Sequence, residues 1–184
     1  MAKYMVCLTF DFDVMSGHIA RGMTTPTPIS RGEFGIVGAS RILPLLQAQK
    51  IPTTWFIPGF TIETYPKACT EVVEGGHEIA HHGWTHVQPT LLDRAQEESE
   101  MIRANDAIAR LCGRRAQGYR SPAWDLSPHT LELLIQHDFY YESSMMGHDY
   151  SPYRVRQGDV IELQKPMQFG DKTPLIEMPI SWSQ

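Results

Sequence analysis

Short runs of β-forming residues alternate with longer segments of helical period along nearly the whole chain, and that alternation confines it to a parallel sheet with crossover helices. Residues 4–12 are an apolar run and read as a buried first strand that ends on Asp11 and Asp13. Residues 14–34, rich in Gly, Pro, Thr and Ser, read as a long loop. Ile42, Leu45, Leu46 and Gln49 fall on a helical repeat over 38–49, with Pro44 kinking or delaying it. A second strand follows at 53–57, then a helix opened by Thr64-Tyr65-Pro66 and stopped by Gly75-Gly76. Residues 77–81 are the third strand, and 93–111 the strongest helix, with Met101, Ala104, Ile108 and Leu111 on one face and Gly113 at its end. Residues 117–120 form a strand, Ser127-Pro128 opens a helix through Leu131, Leu134 and Ile135, and 139–143 are again a strand. Residues 145–170 read as irregular, with a sixth strand at 175–178. This order fits an open doubly wound sheet or a β/α barrel, and no G-x-G-x-x-G or Walker pattern supports nucleotide binding.

The residues capable of chemistry fall at strand ends. Asp11 and Asp13 close the first strand, His82 and His86 follow the third, Arg120 closes the fourth, and Pro179 to Trp182 follow the sixth. Barrel enzymes assemble their sites from the carboxyl ends of several strands, which favours a catalytic barrel or a distorted relative.

Four of the eight histidines lie within GHEIAHHGWTHVQP, and two metal-site readings overlap there. His77-Glu78-Ile79-Ala80-His81 matches the H-E-x-x-H of zinc proteases, which needs a helix to stack residues four apart. Gly75-Gly76 and Gly83 bound the segment too tightly for one, and in an extended strand the two rings stand about 13 Å apart, beyond the reach of one zinc. His82 and His86 instead lie beyond the strand end, where a single helical turn brings both rings together. Asp11 and Asp13, two apart in an extended segment, share a face, so one carboxylate can meet an ion while the other accepts a proton.

The remaining features narrow the classes. With 16 basic against 21 acidic residues, a net charge of −5 and no Lys/Arg run, nucleic acid is excluded as a partner. The amino-terminal MAKYMVCLTFDFD has too short an uncharged stretch for an export signal core or a membrane span, so the expected address is the cytoplasm. Cys7, Cys69 and Cys112 are far apart and read as small buried hydrophobes. Ser143 and Ser144 lack the G-x-S-x-G turn of a serine nucleophile. His77 and His81 read as structural, and His129, His137 and His148 as exposed.

Thr9-Phe10-Asp11-Phe12-Asp13, His82-Gly83-Trp84-Thr85-His86 and Arg120-Ser121-Pro122-Ala123-Trp124 together resemble the three leading motifs of the polysaccharide deacetylase family, in order and across essentially the whole chain. The D-F-D spelling and PTTWFIPGFTIETYP are closest to its branch of intracellular peptidoglycan-deacetylase-like proteins and cyclic-imide and allantoin hydrolases. The resemblance implies a distorted, usually seven-stranded β/α barrel and a metal-dependent hydrolase of non-peptide carbon–nitrogen bonds. It implies Asp13, His82 and His86 as metal ligands, Asp11 as general base, Arg120 as the partner that orients it, and Trp124, Trp182 and His18 as substrate contacts. Two histidines and one carboxylate suit zinc, and equally cobalt, nickel or iron.

Glu177 to Trp182 resembles the opening of the family's fourth motif; the segments that usually follow are not among the 184 residues, so the expectation is one domain over 1–184 whose barrel is incomplete at its C-terminal end. Three readings remain: an N-deacetylase of amino sugars, a cyclic-imide or allantoin-type amidohydrolase acting on a small soluble molecule, and a metal- or sugar-binding module without catalysis. Assembly into homo-oligomers is left open.

Overall fold

The computed structural model describes residues 5–181. Seven strands, β1 (Thr9–Asp11), β2 (Thr54–Ile57), β3 (Glu78–His81), β4 (Gly118–Tyr119), β5 (Tyr141–Glu142), β6 (Tyr153–Gln157) and β7 (Asp171–Glu177), join in one sheet. Six helices accompany them: α1 (Ser16–Ala20), α2 (Pro26–Gln49), α3 (Gly59–Thr64), α4 (Pro66–Glu74), α5 (Arg94–Cys112) and α6 (Thr130–Gln136). The strands lie in the order β1-β2-β3-β4-β5-β7-β6, and every neighbouring pair is parallel except β6 with β7. A doubly wound sheet reverses its order at a switch point. This one never reverses across its parallel strands, so it winds in one direction as a barrel does. Among the described residues β1 and β6 are its two edges and do not pair with each other.

Register assigns each side chain to a face, because paired residues on parallel neighbours project the same way. His81, Tyr119, Glu142 and Glu177 are successive partners, while Asp11, Phe56 and Ala80 are successive partners on the opposite face. Trp55, Ile57 and Ile79 alternate with the latter set and join Val72, Met101, Ala104, Ile108, Leu133 and Leu134 in the main apolar cluster beneath the helices. Burying each of the larger aliphatic side chains among them contributes about 1.5–3 kcal/mol. The polar face is thereby left to carry the site.

Helix termini follow their local chemistry. Asp93 caps α5 with a reciprocal box, its carboxylate taking the Gln96 N–H at 2.9 Å while the Gln96 side chain takes the Asp93 N–H at 3.0 Å. Gly113 ends the helix in the left-handed region at φ 72°. In the first turn of α5, Glu97 is buried and accepts the hydroxyls of Ser127 and Thr130, each at 2.5 Å. Ser127 Oγ in turn accepts the N–H groups of His129 and Thr130 at the start of α6. Glu97→Ala should therefore destabilise the fold by about 3 kcal/mol in a denaturant titration, since it strands two buried hydroxyls; a loss below about 0.5 kcal/mol would contradict this role.

Several sequence expectations need correction. Residues 14–34 are not a loop. They contain α1 and the first turns of α2, because Pro26 and Pro28 occupy positions whose N–H groups have no helical partner to lose. Pro44 sits inside an α2 that runs unbroken for 24 residues. The first strand is shorter and less buried than expected, as Met5, Val6 and Leu8 are exposed beside an edge strand that pairs only with β2. Tyr4, where that run begins, lies outside the described residues. Residues 145–170 include β6, which the two-sided polarity of Arg154, Arg156 and Gln157 concealed. α3, only six residues long, was not foreseen. Cys7 is exposed, while Cys69 is buried and Cys112 partly so. No helix among the described residues is long and apolar enough to cross a membrane.

Glu142 and Glu177 face each other across β5 and β7, both fully buried on the helix-covered side. Burial first, and the neighbouring Glu142 second, push the Glu177 carboxyl far above its ordinary 4.5. The pair is thus held with a proton that the unfolded chain has already lost at neutral pH. Its stabilisation is complete below about pH 4.5 and declines as pH rises toward the folded-state value. Glu177→Gln should relieve that cost, so its advantage over the native protein should grow between pH 5 and pH 8, by up to about 1.4 kcal/mol per pH unit. Melting curves at both pH values that differ by a constant offset would refute it.

Candidate metal centre

Asp13 lies two residues past the end of β1, where three donors fix its main-chain carbonyl: Ser16 N–H at 3.0 Å, Ser16 Oγ at 2.8 Å and Thr61 Oγ1 at 2.8 Å. Val14 then turns the chain at φ 54°, a left-handed conformation unfavourable for a β-branched residue. α2 presses directly on this turn, for a Cβ on Gly32 would come within 2.6 Å of Met15 Cα.

His82 follows β3 and is 1% exposed. His86 reaches it through a loop and not through the helical turn expected from the sequence. Gly83 adopts φ 72° and His86 φ 64°, and a Cβ on Gly83 would press within 2.9 Å of Pro122. The loop is pinned to α3 by the Gly59 and Phe60 N–H groups, which donate to the carbonyls of Gly83 and Trp84 at 3.0 and 2.9 Å. The two imidazoles end with centroids 4.9 Å apart and planes at 81°.

Asp13, His82 and His86 each offer one ligand atom, and all three atoms lie within 4.8 Å of one another. His82 Nε2 is 3.4 Å from Asp13 Oδ1, and His86 Nε2 is 3.3 Å from Asp13 Oδ2. Ligands on a tetrahedral ion with bonds of about 2.1 Å stand about 3.4 Å apart, so the spacing fits. Hydrogen positions strengthen the argument. His82 Nδ1 lies 2.7 Å from the Arg120 carbonyl, which only accepts, so Nδ1 carries the ring proton and Nε2 presents a lone pair. That lone pair faces a carboxylate oxygen, and both atoms are buried with no hydrogen-bond partner. Two acceptors turned toward each other out of water call for a cation between them. Burial lowers the His86 pKa against the opposing pull of Asp13, which favours the neutral ring a metal needs.

Beside this cluster Arg120 Nη1 donates to Asp11 Oδ1 at 2.6 Å. The arginine side chain is 6% exposed and the aspartate 27%, so the acid is oriented from within while remaining open to solvent. The guanidinium lies 4.0 Å over the Phe56 ring and also touches Thr9 and Ser143. These two contacts were missed from sequence. Thr9 was legible in principle, since it stands two residues before Asp11 on the same strand face.

The H-E-x-x-H histidines serve the fold. His77 Nδ1 accepts the Thr53 N–H at 3.3 Å. His81 Nδ1 accepts the Gly83 N–H at 3.1 Å and its Nε2 donates to the Met101 carbonyl at 3.1 Å, leaving no lone pair for a metal. Burial lowers the His81 pKa to about 4. His18 sits on α1, next to Gly17, where a Cβ would stand 3.7 Å from His86 Nδ1. Trp124 is 39% exposed and follows Pro122 with φ 55°, directly after Ala123 at φ 57°. Two successive left-handed non-glycine residues store strain in this turn. Trp182 lies outside the described residues.

The sequence profile for polysaccharide deacetylases matches residues 35–141. A peptidoglycan deacetylase of Helicobacter pylori is 37% identical over 99% of this chain and 67% of its own length. A peptidoglycan deacetylase-like protein of Gibberella zeae is 31% identical over 98% of this chain and 58% of its own. Among solved structures, a Mycobacterium smegmatis protein assigned to the polysaccharide deacetylases superposes with a TM-score of 0.78 at 32% identity, over 96% of this chain and 58% of that one. A Puue allantoinase superposes at 0.75 with 21% identity, over 96% and 61%, a likeness of fold alone. The chain therefore spans about three-fifths to two-thirds of the length of the proteins it matches.

Proposed function

Because this chain belongs to the polysaccharide deacetylase family, we propose that it is a metal-dependent hydrolase of non-peptide carbon–nitrogen bonds that removes N-acetyl groups from amino sugars. The observation that carries the reading is the pair of buried acceptors, Asp13 Oδ1 and His82 Nε2, turned toward each other beside an arginine-held aspartate. Asp13, His82 and His86 would hold the ion, with zinc the first expectation and cobalt or nickel close behind. A divalent ion bound there supplies Lewis acidity, lowering the pKa of water and polarising the acetyl carbonyl.

The chain's own groups do the rest. Asp11 accepts the proton that the attacking water loses as its oxygen bonds to the acetyl carbon. Arg120 holds that carboxylate aimed through a charge-assisted hydrogen bond of 2.6 Å. The C–N bond then breaks, giving acetate and an amine that leaves protonated. Trp124, Trp182 and His18 are proposed to contact the sugar, with Trp124 offering a half-exposed aromatic face.

The test is acetate release from N-acetylglucosamine oligomers by protein loaded with zinc, cobalt or nickel, run beside ring opening of succinimide. Acetate release supports the deacetylase. Ring opening without acetate would replace it with the cyclic-imide reading, and tight metal binding without turnover of either would replace it with a binding module.

A further inference from the structure

Arg120 is gripped from both sides of the sheet's polar face. Its Nη1 and Nη2 each donate to Thr9 Oγ1 at 3.2 Å, from β1. Its Nε donates to the Ser143 carbonyl at 3.0 Å and its Nη2 to Ser143 Oγ at 2.9 Å, immediately after β5. Ser143 is 3% exposed, and its hydroxyl donates to the Met178 carbonyl at 2.8 Å, just past β7. A hydroxyl has one proton. Once that proton goes to Met178, the oxygen can only accept from Arg120, so the direction of the bond is fixed. The neighbours of Ser143 are equally constrained. The Glu142 carbonyl takes the Met178 N–H at 2.8 Å, Ser144 Oγ takes the Ser121 N–H at 2.8 Å, and the Met145 N–H donates to Glu177 at 3.2 Å.

From these contacts we propose that Ser143 is a positioning residue for the reaction: its hydroxyl and carbonyl, locked to β7 through Met178, set the guanidinium of Arg120 at the angle from which Nη1 meets Asp11. The inference rests on the hydrolase reading and deepens it, because a strand end far from the metal ligands in sequence then governs the aim of the general base. Without the Ser143 hydroxyl, Nη2 keeps only its long contact to Thr9, and the planar group is freer to rotate about its Nε–Cζ bond and carry Nη1 off Asp11. The metal ligands touch neither Ser143 nor Met178 through any of these bonds, so ion binding is spared.

The experiment compares Ser143→Ala and Ser143→Thr with the native protein by four readouts: kcat and KM for acetate release, zinc affinity, melting temperature, and the side-chain nitrogen NMR signals of Arg120. Ser143→Ala should lower kcat about 10- to 100-fold with KM and zinc affinity unchanged. The separate Nη resonances of a locked Arg120 should merge in that variant, and Ser143→Thr should restore both kcat and the separated resonances. Native Arg120 signals in Ser143→Ala would overturn the proposal, as would kcat, KM and zinc affinity worsening together in step with a lowered melting temperature. Merged signals with intact zinc affinity support the positioning role even in a protein that releases no acetate, an outcome that would count instead against the proposed function.

Discussion

His82→Ala is expected to abolish metal binding and to cut turnover by about 1,000-fold or more, the several kcal/mol that a Lewis acid supplies. His77→Ala should leave both nearly intact. The contrast follows from where each ring points. His82 directs an unprotonated Nε2 at Asp13 from a site 1% exposed, whereas His77 spends its Nδ1 on Thr53 at the opposite end of β3. Isothermal titration with zinc, followed by an acetate-release assay, measures both effects. Loss of the ion in His77→Ala with retention in His82→Ala would exchange the roles and revive the H-E-x-x-H reading.

Asp11→Asn should reduce kcat by about 100- to 10,000-fold while zinc remains bound. The asparagine still receives the Arg120 hydrogen bond through its carbonyl, so shape survives, but it cannot take a proton from water. Ion content measured on the purified variant separates the two carboxylates. A variant that loses its zinc would make Asp11 a ligand, and one that keeps native kcat would remove it from proton transfer.

Strand–helix alternation made the winding legible because apolar strand cores are separated by helical segments with readable ends, above all α5 with its capping box and Gly113 stop. It failed where composition imitates a loop. Thr25-Pro26-Thr27-Pro28 looks irregular to any residue tally, yet prolines in the first turn start a helix and α2 runs on from there to Gln49. It failed again at β6, whose exposed arginines give no apolar alternation. Within the candidate centre, spacing paired His82 with His86 and Asp11 with Asp13, the family resemblance chose Asp13 as the ligand, and the fold brings Asp13, His82 and His86 together. The manner of their meeting was not legible. The expected helical turn is a loop with two left-handed residues, and the tautomer of His82 depends on the Arg120 carbonyl, a backbone atom 38 positions away that no side-chain motif encodes. Ser143 was weighed only as a nucleophile and set aside, for a related reason: its tertiary bonds to Arg120 and Met178 leave no local sign in a serine outside a nucleophile motif.

The proposed hydrolase requires a cation between the acid past β1 and the imidazoles past β3. Crystals grown with zinc and measured above and below its absorption edge test it directly. An anomalous peak about 2.1 Å from Asp13, His82 and His86 is the predicted result. A peak at His77 and His81 instead, or direct contact between Asp13 and a protonated His82 with no peak at saturating zinc, would contradict it.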